Sequence, residues 1–260
     1  MFDFSMTRPF VDGFFVFDYT SCGLFSLCRP AGWHAGVGAI GERIVEAYVG
    51  EYASGKSEVA VNRALALARQ GRRVNLVDLD IVEPFYTLRP IKKKLGEQGV
   101  NVLAWDTREM IGLGETGLVF RPANRWALRL PGDVILDVGY GVGGARTLNL
   151  VEGAGEDPHL KVLAVVNIAR PMTATVEDIV QYVQTLGRVD GLINNSHLGG
   201  ETTVEFVQEG ARVVAEAARR LGLPVVATTV LEELAAKMGP RDACGHPVWP
   251  IRRYMDRTLW

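Results

Sequence analysis

Cysteine is scarce in this chain, and the number of cysteines argues against a protein stabilised by disulfide bonds. The 260 residues include Cys22, Cys28 and Cys244 as their only cysteines, and an odd count argues against a framework of disulfide bonds. Cys22 and Cys28 are spaced more widely than the ligands of a usual zinc knuckle, and no second pair follows. Because disulfide-poor chains are typical of reducing compartments, the sequence predicts a cytoplasmic protein.

Neither an excess of basic charge nor a long apolar run is present. The 28 Lys and Arg residues stand against 30 Asp and Glu residues, which gives a formal net charge of −2. A nucleic-acid-binding surface needs a basic excess, so the composition predicts no nucleic-acid partner. No uninterrupted run of about 18 apolar residues occurs, and we therefore expect no transmembrane segment.

The N-terminal region differs in composition from the rest of the chain, since seven of the ten Phe residues lie within residues 1–40. Asp12 and Asp18 interrupt its apolar stretch, and the charged start of a signal peptide is missing, which argues against such a peptide. We predict that residues 1–40 are an N-terminal extension, either disordered or read through from upstream sequence. Residues 41–260 are then expected to form one domain.

From Gly41 onward, apolar runs rich in β-branched residues alternate with segments of helical periodicity. The predicted strands are Ile44–Val49, Val74–Val77, Val100–Ala104, Val134–Asp137, Val162–Val166, Gly191–Asn194 and Pro224–Thr229. The predicted helices are Lys56–Arg69, Thr87–Glu97, Thr173–Leu186 and Thr203–Leu221. This alternation predicts a doubly wound, mostly parallel sheet with helices on both faces, a three-layer αβα sandwich. The tail WPIRRYMDRTLW is expected to dock on this core.

The segment GEYASGKS after the first predicted strand has the full spacing G-x-x-x-x-G-K-[ST] of a phosphate-binding loop. Successive backbone N–H groups of such a loop surround phosphate oxygens, and the next helix adds partial positive charge from its N-terminus. Lys56 is expected to reach the β- and γ-phosphates and to act in catalysis, and Ser57 to ligate Mg²⁺. The predicted nucleotide-binding residues here are Gly50, Glu51, Tyr52, Ala53, Ser54, Gly55, Lys56, Ser57 and Glu58. Residues 41–260 are thus predicted to be a P-loop nucleotide-binding domain.

Acidic side chains follow two predicted strands at the edge where this loop lies. Asp78 and Asp80 close the segment VNLVDLD, and Asp137 follows the apolar run of DVILDVGYG. Mg²⁺ is usually held by one or two carboxylates together with phosphate oxygens and waters. Asp78 and Asp80 share one face if the strand continues to Asp80, whereas a turn there would separate them, so we expect only one of them to face the phosphates directly. We expect Asp137 to serve the metal through water and Gly139 to offer its N–H to the γ-phosphate. The alternative for each acid is a solvated strand end or a helix cap.

The segment GLINNSHLGG bears on which base is bound. GTPases with such a loop recognise guanine through an Asn-Lys-x-Asp element, and no Asp stands three residues after Asn194 or Asn195. An Asn amide can pair with adenine, which offers both a donor and an acceptor. The sequence therefore favours ATP over GTP, with Asn195 as the base contact, although either Asn could simply end its strand.

These segments, in this order, resemble the MinD/ParA/CobQ-type P-loop ATPases of the SIMIBI class. The resemblance covers most of residues 41–240 and includes GEYASGKS, VDLDIVEPFYTLR, VILDVGYG and GLINNSHL. It implies that Asp80 helps to position the attacking water and that Asp78 supports the metal. It also implies that Asn195 contacts the base and that the loop at Leu223 and Pro224 covers the adenine.

Two features depart from this family or go beyond it. Many members have a lysine directly after the first loop glycine, which reaches the nucleotide of a second subunit, and this chain has Glu51 there. A glutamate beside phosphates is repulsive unless it turns away, so homodimer formation of that kind stays open. Residues 107–130 contain Arg108, Arg121, Arg125 and Arg129. They fit either an insert that faces a partner or substrate, or a solvated helix whose Arg side chains pack on Trp126.

The sequence thus predicts a Mg²⁺-dependent ATP-binding protein that hydrolyses ATP slowly and acts as a nucleotide-controlled switch or accessory protein. Its partner is either an unknown protein or a small-molecule acceptor. One alternative is an ATP-dependent kinase or ligase acting on a small metabolite. Another is a nucleotide sensor without catalytic activity.

Overall fold

A parallel sheet of eight strands organises the part of the chain that the structure, a computed structural model, describes: residues 42–81, 88–105 and 120–255. In chain order the strands are β1 Val45–Gly50, β2 Val74–Leu79, β3 Val100–Leu103, β4 Asp133–Val138, β5 Leu160–Val166, β6 Gly191–Asn194, β7 Val225–Leu231 and β8 Val248–Ile251. Across the sheet the order is β3-β2-β4-β1-β5-β6-β7-β8, and every neighbouring pair is parallel. All of these residues belong to the unit Ala31–Trp260.

Six α-helices connect or flank these strands in the described residues. They are α1 Lys56–Arg69, α2 Lys92–Gly96, α3 Gly141–Arg146, α4 Val176–Thr185, α5 Val204–Leu221 and α6 Glu232–Met238. Short 3₁₀ segments lie at Arg89–Ile91, Pro122–Arg129, Thr147–Leu150, Pro171–Thr173 and Gly199–Glu201. In this part of the chain, none of the helices has the length and apolar character needed to span a bilayer.

Two apolar cores lie on opposite faces of the sheet. On one face Leu76 and Ile135 pack with residues of α1 such as Leu65. On the other face Leu136 packs with α4 and α5, for instance with Val214. Strands β1, β2 and β4 are buried along their whole length, as expected for a parallel sheet that is covered on both faces. The predicted fold class, a doubly wound α/β sandwich with a parallel sheet and helices on both faces, is confirmed.

Helix α1 begins and ends as predicted, but the second predicted helix is divided. The 3₁₀ segment Arg89–Ile91 precedes a short α2, Lys92–Gly96, and Thr87 lies outside the described residues. Pro90 lacks a backbone N–H and restricts the residue before it, so a continuous helix through this position is disfavoured.

The C-terminal tail contributes a strand that the sequence does not predict. Trp249 and Pro250 lie within β8, at the end of the described sheet, where a missing N–H on a proline is tolerated. Trp249 is 1% exposed, so this part of the tail does dock on the core. The predicted N-terminal extension, Arg108 and residues 256–260 lie outside the described residues.

Candidate functional site

The loop between β1 and α1 has the backbone form of an anion-binding nest. Ala53 and Gly55 have positive φ angles of 54° and 88°, and the Ser54 N–H donates to the Glu51 carbonyl at 3.2 Å. Left-handed residues alternating with turn conformations direct successive N–H groups into a concavity. The Lys56 side chain is buried at the start of α1, and its Nζ donates to the Glu51 carbonyl at 3.3 Å. A cation and a helix N-terminus thus meet at this loop.

Asn195 positions the loop from the end of β6. Its Nδ2 donates to the Ser54 carbonyl at 2.7 Å, and its Oδ1 accepts a hydrogen bond from Thr229 Oγ1 at 2.6 Å. A Cβ at position 55 would lie 2.1 Å from this Nδ2, so the close approach requires Gly55. The buried amide of Asn195 therefore holds the loop in place, and the base contact expected of it stays a prediction.

Glu51 turns away from the interior of the loop. Its Oε1 accepts from the Met172 N–H at 3.2 Å, and its Oε2 accepts from Thr173 Oγ1 at 3.2 Å. The repulsion expected between this carboxylate and bound phosphates is thereby reduced. On the open side of the loop, Tyr52 makes an edge-to-face contact with Tyr140, with ring centroids 5.2 Å apart.

Asp78 and Asp137 lie side by side where β2 and β4 end. They are register partners in neighbouring parallel strands, so their side chains lie on the same face of the sheet, the face that α1 covers. Asp137 is 1% exposed, and among the described residues neither of its carboxylate oxygens has a hydrogen-bond partner of good geometry. The Asp137 carboxylate lies beside Lys56 and Ser57, the first two residues of α1.

Burial and, after it, the nearby carboxylate of Asp78 raise the pKa of Asp137 to about 8, against the opposing effects of Lys56 and the Ser57 hydroxyl. Because the Ser57 hydroxyl lies close to the Asp137 carboxylate, both side chains could serve one cation. Two neighbouring buried acids are stable together when one of them is protonated or when a positive charge compensates both carboxylates.

Asp80 lies one residue beyond the end of β2. Its N–H donates to Asp78 Oδ1 at 3.1 Å. A Cβ at position 139 would lie 3.0 Å from Asp80 Oδ1, so the carboxylate of Asp80 reaches across to the end of β4. The structure thus brings Lys56, Ser57, Asp78, Asp80, Asp137 and Gly139 to one edge of the sheet.

Arg89 is a site residue that the sequence analysis misses. Burial lowers the pKa of its guanidinium, and the negative charges of Asp78 and Asp80 oppose that shift, which places all three charged groups together. Arg89 ends the segment VDLDIVEPFYTLR, and its place in that segment is the only signal in the sequence. Spacing alone does not predict that the chain returns to the two acids.

A cavity of about 440 Å³ adjoins the loop on the side of β6 and β7. Ala53, Gly55 and Asn195 form the wall nearest the loop, and Val207 and Val230 belong to its apolar part. Its polar lining includes Glu58, Arg170, Thr229, His197 and Arg253. Burial, with a smaller effect of Arg170 and Arg253, lowers the pKa of His197 to about 4, so its imidazole is neutral at physiological pH.

The prediction that Pro224 belongs to the nucleotide site is wrong. Pro224 directly precedes β7, whereas Leu231, at the opposite end of that strand, lines the cavity beside the loop. Pro224 lines a second cavity of about 860 Å³ together with Glu42 and Arg43, which precede β1. In a parallel sheet, residues before the strands lie at the amino edge, and the phosphate-binding loop lies at the carboxyl edge.

No protein-family model matches the chain, and no curated protein matches it. Among solved structures, the signal recognition particle receptor FtsY from Elizabethkingia anophelis aligns at 15% identity and a TM-score of 0.45, over 75% of this chain and 60% of that one. FlhF complexed with GTP/Mg(2+) aligns at 12% identity and a TM-score of 0.46, over 71% of this chain and 64% of that one. A nucleotide-binding protein from Archaeoglobus fulgidus in complex with ADP aligns at 18% identity and a TM-score of 0.43, over 71% of this chain and 80% of that one.

These scores are too low to support an inference about function, and this chain spans less than two thirds of the length of FtsY and FlhF. The fold assignment therefore depends on the parallel sheet and its connections. The site is defined by its own geometry.

Proposed function

We propose that the protein binds Mg²⁺–ATP and hydrolyses it slowly, as a nucleotide-controlled switch or accessory protein. The observation that supports this most strongly is the buried pair of Asp78 and Asp137 beside Ser57, next to a loop built to bind anions. A divalent cation would compensate the two carboxylates, and a triphosphate would occupy the nest.

The residues present fit Mg²⁺, which prefers oxygen ligands and retains several waters. The Ser57 hydroxyl would bind the ion directly, and Asp137, which lies beside that hydroxyl and has no hydrogen-bond partner of good geometry among the described residues, would accept hydrogen bonds from its waters. Asp78 would contribute its negative charge from the neighbouring strand. When bound, the ion neutralises charge on the β- and γ-phosphate oxygens.

The catalytic roles that we propose follow from the positions of Lys56, Asp80 and Gly139 at the carboxyl edge of the sheet. Lys56 would exchange its contact with the Glu51 carbonyl for the β- and γ-phosphates. Asp80, outside the strand and beside Gly139, would orient the attacking water, and the N–H of Gly139 would contact the γ-phosphate. Turnover without a supplied stabilising group is slow in P-loop proteins, so we expect a protein partner or acceptor to set the rate.

The cavity beside the loop supports adenine over guanine. Guanine presents N–H donors that are best met by a carboxylate, and among the described residues lining the cavity Glu58 is the sole carboxylate. Glu58 already accepts the backbone N–H groups of Tyr254 and Met255 at 3.0 Å and 2.8 Å. The apolar wall at Val207 and Val230 suits a planar base, with Asn195 and the neutral His197 at its polar side.

A titration and turnover assay with purified full-length protein tests the proposal. Mg²⁺–ATP is expected to bind and to be hydrolysed slowly, and Mg²⁺–GTP to bind more weakly. Lys56→Ala should lower ATP affinity by about tenfold or more, since hydrogen bonds to charged groups contribute about 1.5–3 kcal/mol. Lys161→Ala, an exposed lysine on β5, is the matched control and should behave as the wild type.

The same assay separates the alternatives. ATP consumption that starts only when a metabolite pool is added would indicate a kinase or ligase. Binding without phosphate release under any condition would indicate a sensor. Unchanged ATP affinity and turnover in Lys56→Ala would contradict all three, because each requires the phosphate-binding loop.

A further inference from the structure

The loop before β8 brings three different metal-ligating side chains together, in the sequence DACGH. Asp242, Cys244 and His246 each offer one ligand atom, and these atoms all lie within 4.8 Å of one another. In the sequence Cys244 has no cysteine partner near it. The fold supplies a carboxylate and an imidazole in place of a second thiol.

The backbone of this loop is fixed without any ligand. The Asp242 N–H donates to the His246 carbonyl at 2.9 Å, and the Gly245 N–H donates to the Asp242 carbonyl at 3.0 Å. Arg241 and Pro247 close the loop through an isolated antiparallel bridge. Ligand positions that are set before binding reduce the entropy lost when a metal binds.

The carboxylate of Asp242 is oriented by its hydrogen bonds. Its Oδ1 accepts the N–H groups of Cys244 and His246, each at 2.9 Å. Its Oδ2 accepts from Thr228 Oγ1 at 2.6 Å and lies 3.2 Å from His246 Nδ1. Ligating carboxylates in metal sites are typically held by such outer hydrogen bonds, which here come from β7 and from the loop itself.

We propose that Asp242, Cys244 and His246 bind one divalent transition metal ion of the zinc class. One sulfur, one nitrogen and one oxygen ligand suit Zn²⁺ and its neighbours in the first transition row, and they do not suit Mg²⁺ or Ca²⁺. Three protein ligands leave a fourth position for water or another molecule. Cys244 is exposed, so the ion can be loaded from solvent.

This site is separate from the proposed nucleotide site. The phosphate-binding loop follows the carboxyl end of β1, whereas the DACGH loop precedes the amino end of β8. Metal binding here therefore goes beyond nucleotide binding, and each property can fail without the other.

Cobalt absorption spectroscopy on the full-length, chelator-treated protein tests the proposal. Addition of Co²⁺ is expected to produce a thiolate-to-metal charge-transfer band that saturates at one ion per chain, and stoichiometric Zn²⁺ should remove it. Absence of the band, or a band that needs more than one ion per chain to saturate, would overturn the proposal.

Variants assign the band to these residues. Cys244→Ala should abolish it, His246→Ala should weaken Co²⁺ binding, and Thr228→Ala should weaken it by about tenfold, as loss of outer-shell partners does. The double variant Cys22→Ser/Cys28→Ser is the control and should keep the band. A band that survives in Cys244→Ala, with unfolding unchanged, would overturn the assignment. Mg²⁺–ATP titrations of Cys244→Ala and Co²⁺ titrations of Lys56→Ala show which proposal, if either, has failed.

Discussion

Asp137 shows at the scale of one residue how burial and charge define this site. Its carboxylate is buried and lies beside Asp78, and among the described residues it has no hydrogen-bond partner of good geometry. A carboxylate in this position weakens the fold unless a cation compensates it. A structural role alone would be served better by an amide or an apolar side chain of similar size.

Replacement of Asp137 by Asn should separate stability from metal binding. We expect the variant to be at least as stable as the wild type without Mg²⁺, because a buried acid beside Asp78 is removed. We also expect it to lose the strengthening of ATP binding by Mg²⁺. Denaturant unfolding with chelator, and ATP titrations with and without Mg²⁺, measure the two effects. Wild-type Mg²⁺ dependence in the variant would show that Asp137 does not serve the metal.

His197 gives a prediction about pH. Burial first, then Arg170 and Arg253, lowers its pKa to about 4, below the value of about 6.5 for the unfolded chain. The stabilisation that follows from a neutral His197 is therefore present above pH 6.5 and is lost as the pH falls towards 4. Between pH 7 and pH 5 the unfolding free energy of the wild type should fall by about 1–2 kcal/mol relative to His197→Asn.

Denaturant unfolding of both proteins at the two pH values measures this difference. Asn keeps an acceptor for the Gly199 N–H, which now donates to His197 Nδ1, so the comparison isolates the titration. Parallel pH dependences in the two proteins would mean that His197 is protonated in the folded state as easily as in the unfolded one.

At the scale of the element, the phosphate-binding loop depends on one close approach. Gly55→Ala would place a Cβ 2.1 Å from Asn195 Nδ2, whereas Gly71, also at a positive φ of 77°, has open space around it. Each substitution should cost about 1–2 kcal/mol for the left-handed conformation. Gly55→Ala alone should also lose ATP affinity, because Asn195 would have to release the loop. Thermal unfolding and ATP titration of both variants test this, and equal ATP affinities would contradict it.

Strand β8 provides the second prediction at this scale. Trp249 is 1% exposed, and the guanidinium carbon of Arg63 lies over its ring, 5.3 Å from the centroid of the Trp249 ring. Trp249→Ala should destabilise the protein by about 3–5 kcal/mol, as loss of a large buried side chain does. Trp126, which is 41% exposed, is the control, and its replacement by Ala should cost about 1 kcal/mol or less. A small effect at Trp249 would mean that the tail is not part of the core.

Elements with a strong local signal could be predicted from the sequence. Helix α1 follows a glycine-rich loop and precedes Gly71, and its predicted bounds match the structure. Strand β8 could not be predicted, because Pro250 argues against a strand and only its position at the end of the described sheet permits one. Pro224 was misplaced because a resemblance gives the order of segments but does not give the edge of the sheet at which each loop lies.

Contacts between distant segments limited what the sequence could show about the sites. Arg89 lies near Asp78 and Asp80, and Asn195 binds the loop from 141 residues along the chain. Cys244 has no other cysteine near it in the sequence, whereas the turn at Gly245 places Asp242 and His246 beside it. Residue type and local spacing do not encode such distances, which depend on topology and on side-chain direction.

At the scale of the whole molecule, the strand order explains why the site exists. Strand β1 lies between β4 and β5, and β2 pairs with β4 on the other side, so the loop after β1 lies beside the acids that end β2 and β4. Ligand binding at such a junction contacts several elements at once. At a concentration 100 times its dissociation constant, a ligand should raise the unfolding free energy by about 2.7 kcal/mol.

Isothermal titration of Mg²⁺–ATP into the full-length protein tests the central claim most directly. A saturable heat at one nucleotide per chain, weaker without Mg²⁺ and reduced about tenfold or more in affinity by Lys56→Ala, is the predicted result. No heat with the wild type, at protein concentrations where the fold is intact, would contradict the assignment of this edge of the sheet to a nucleotide.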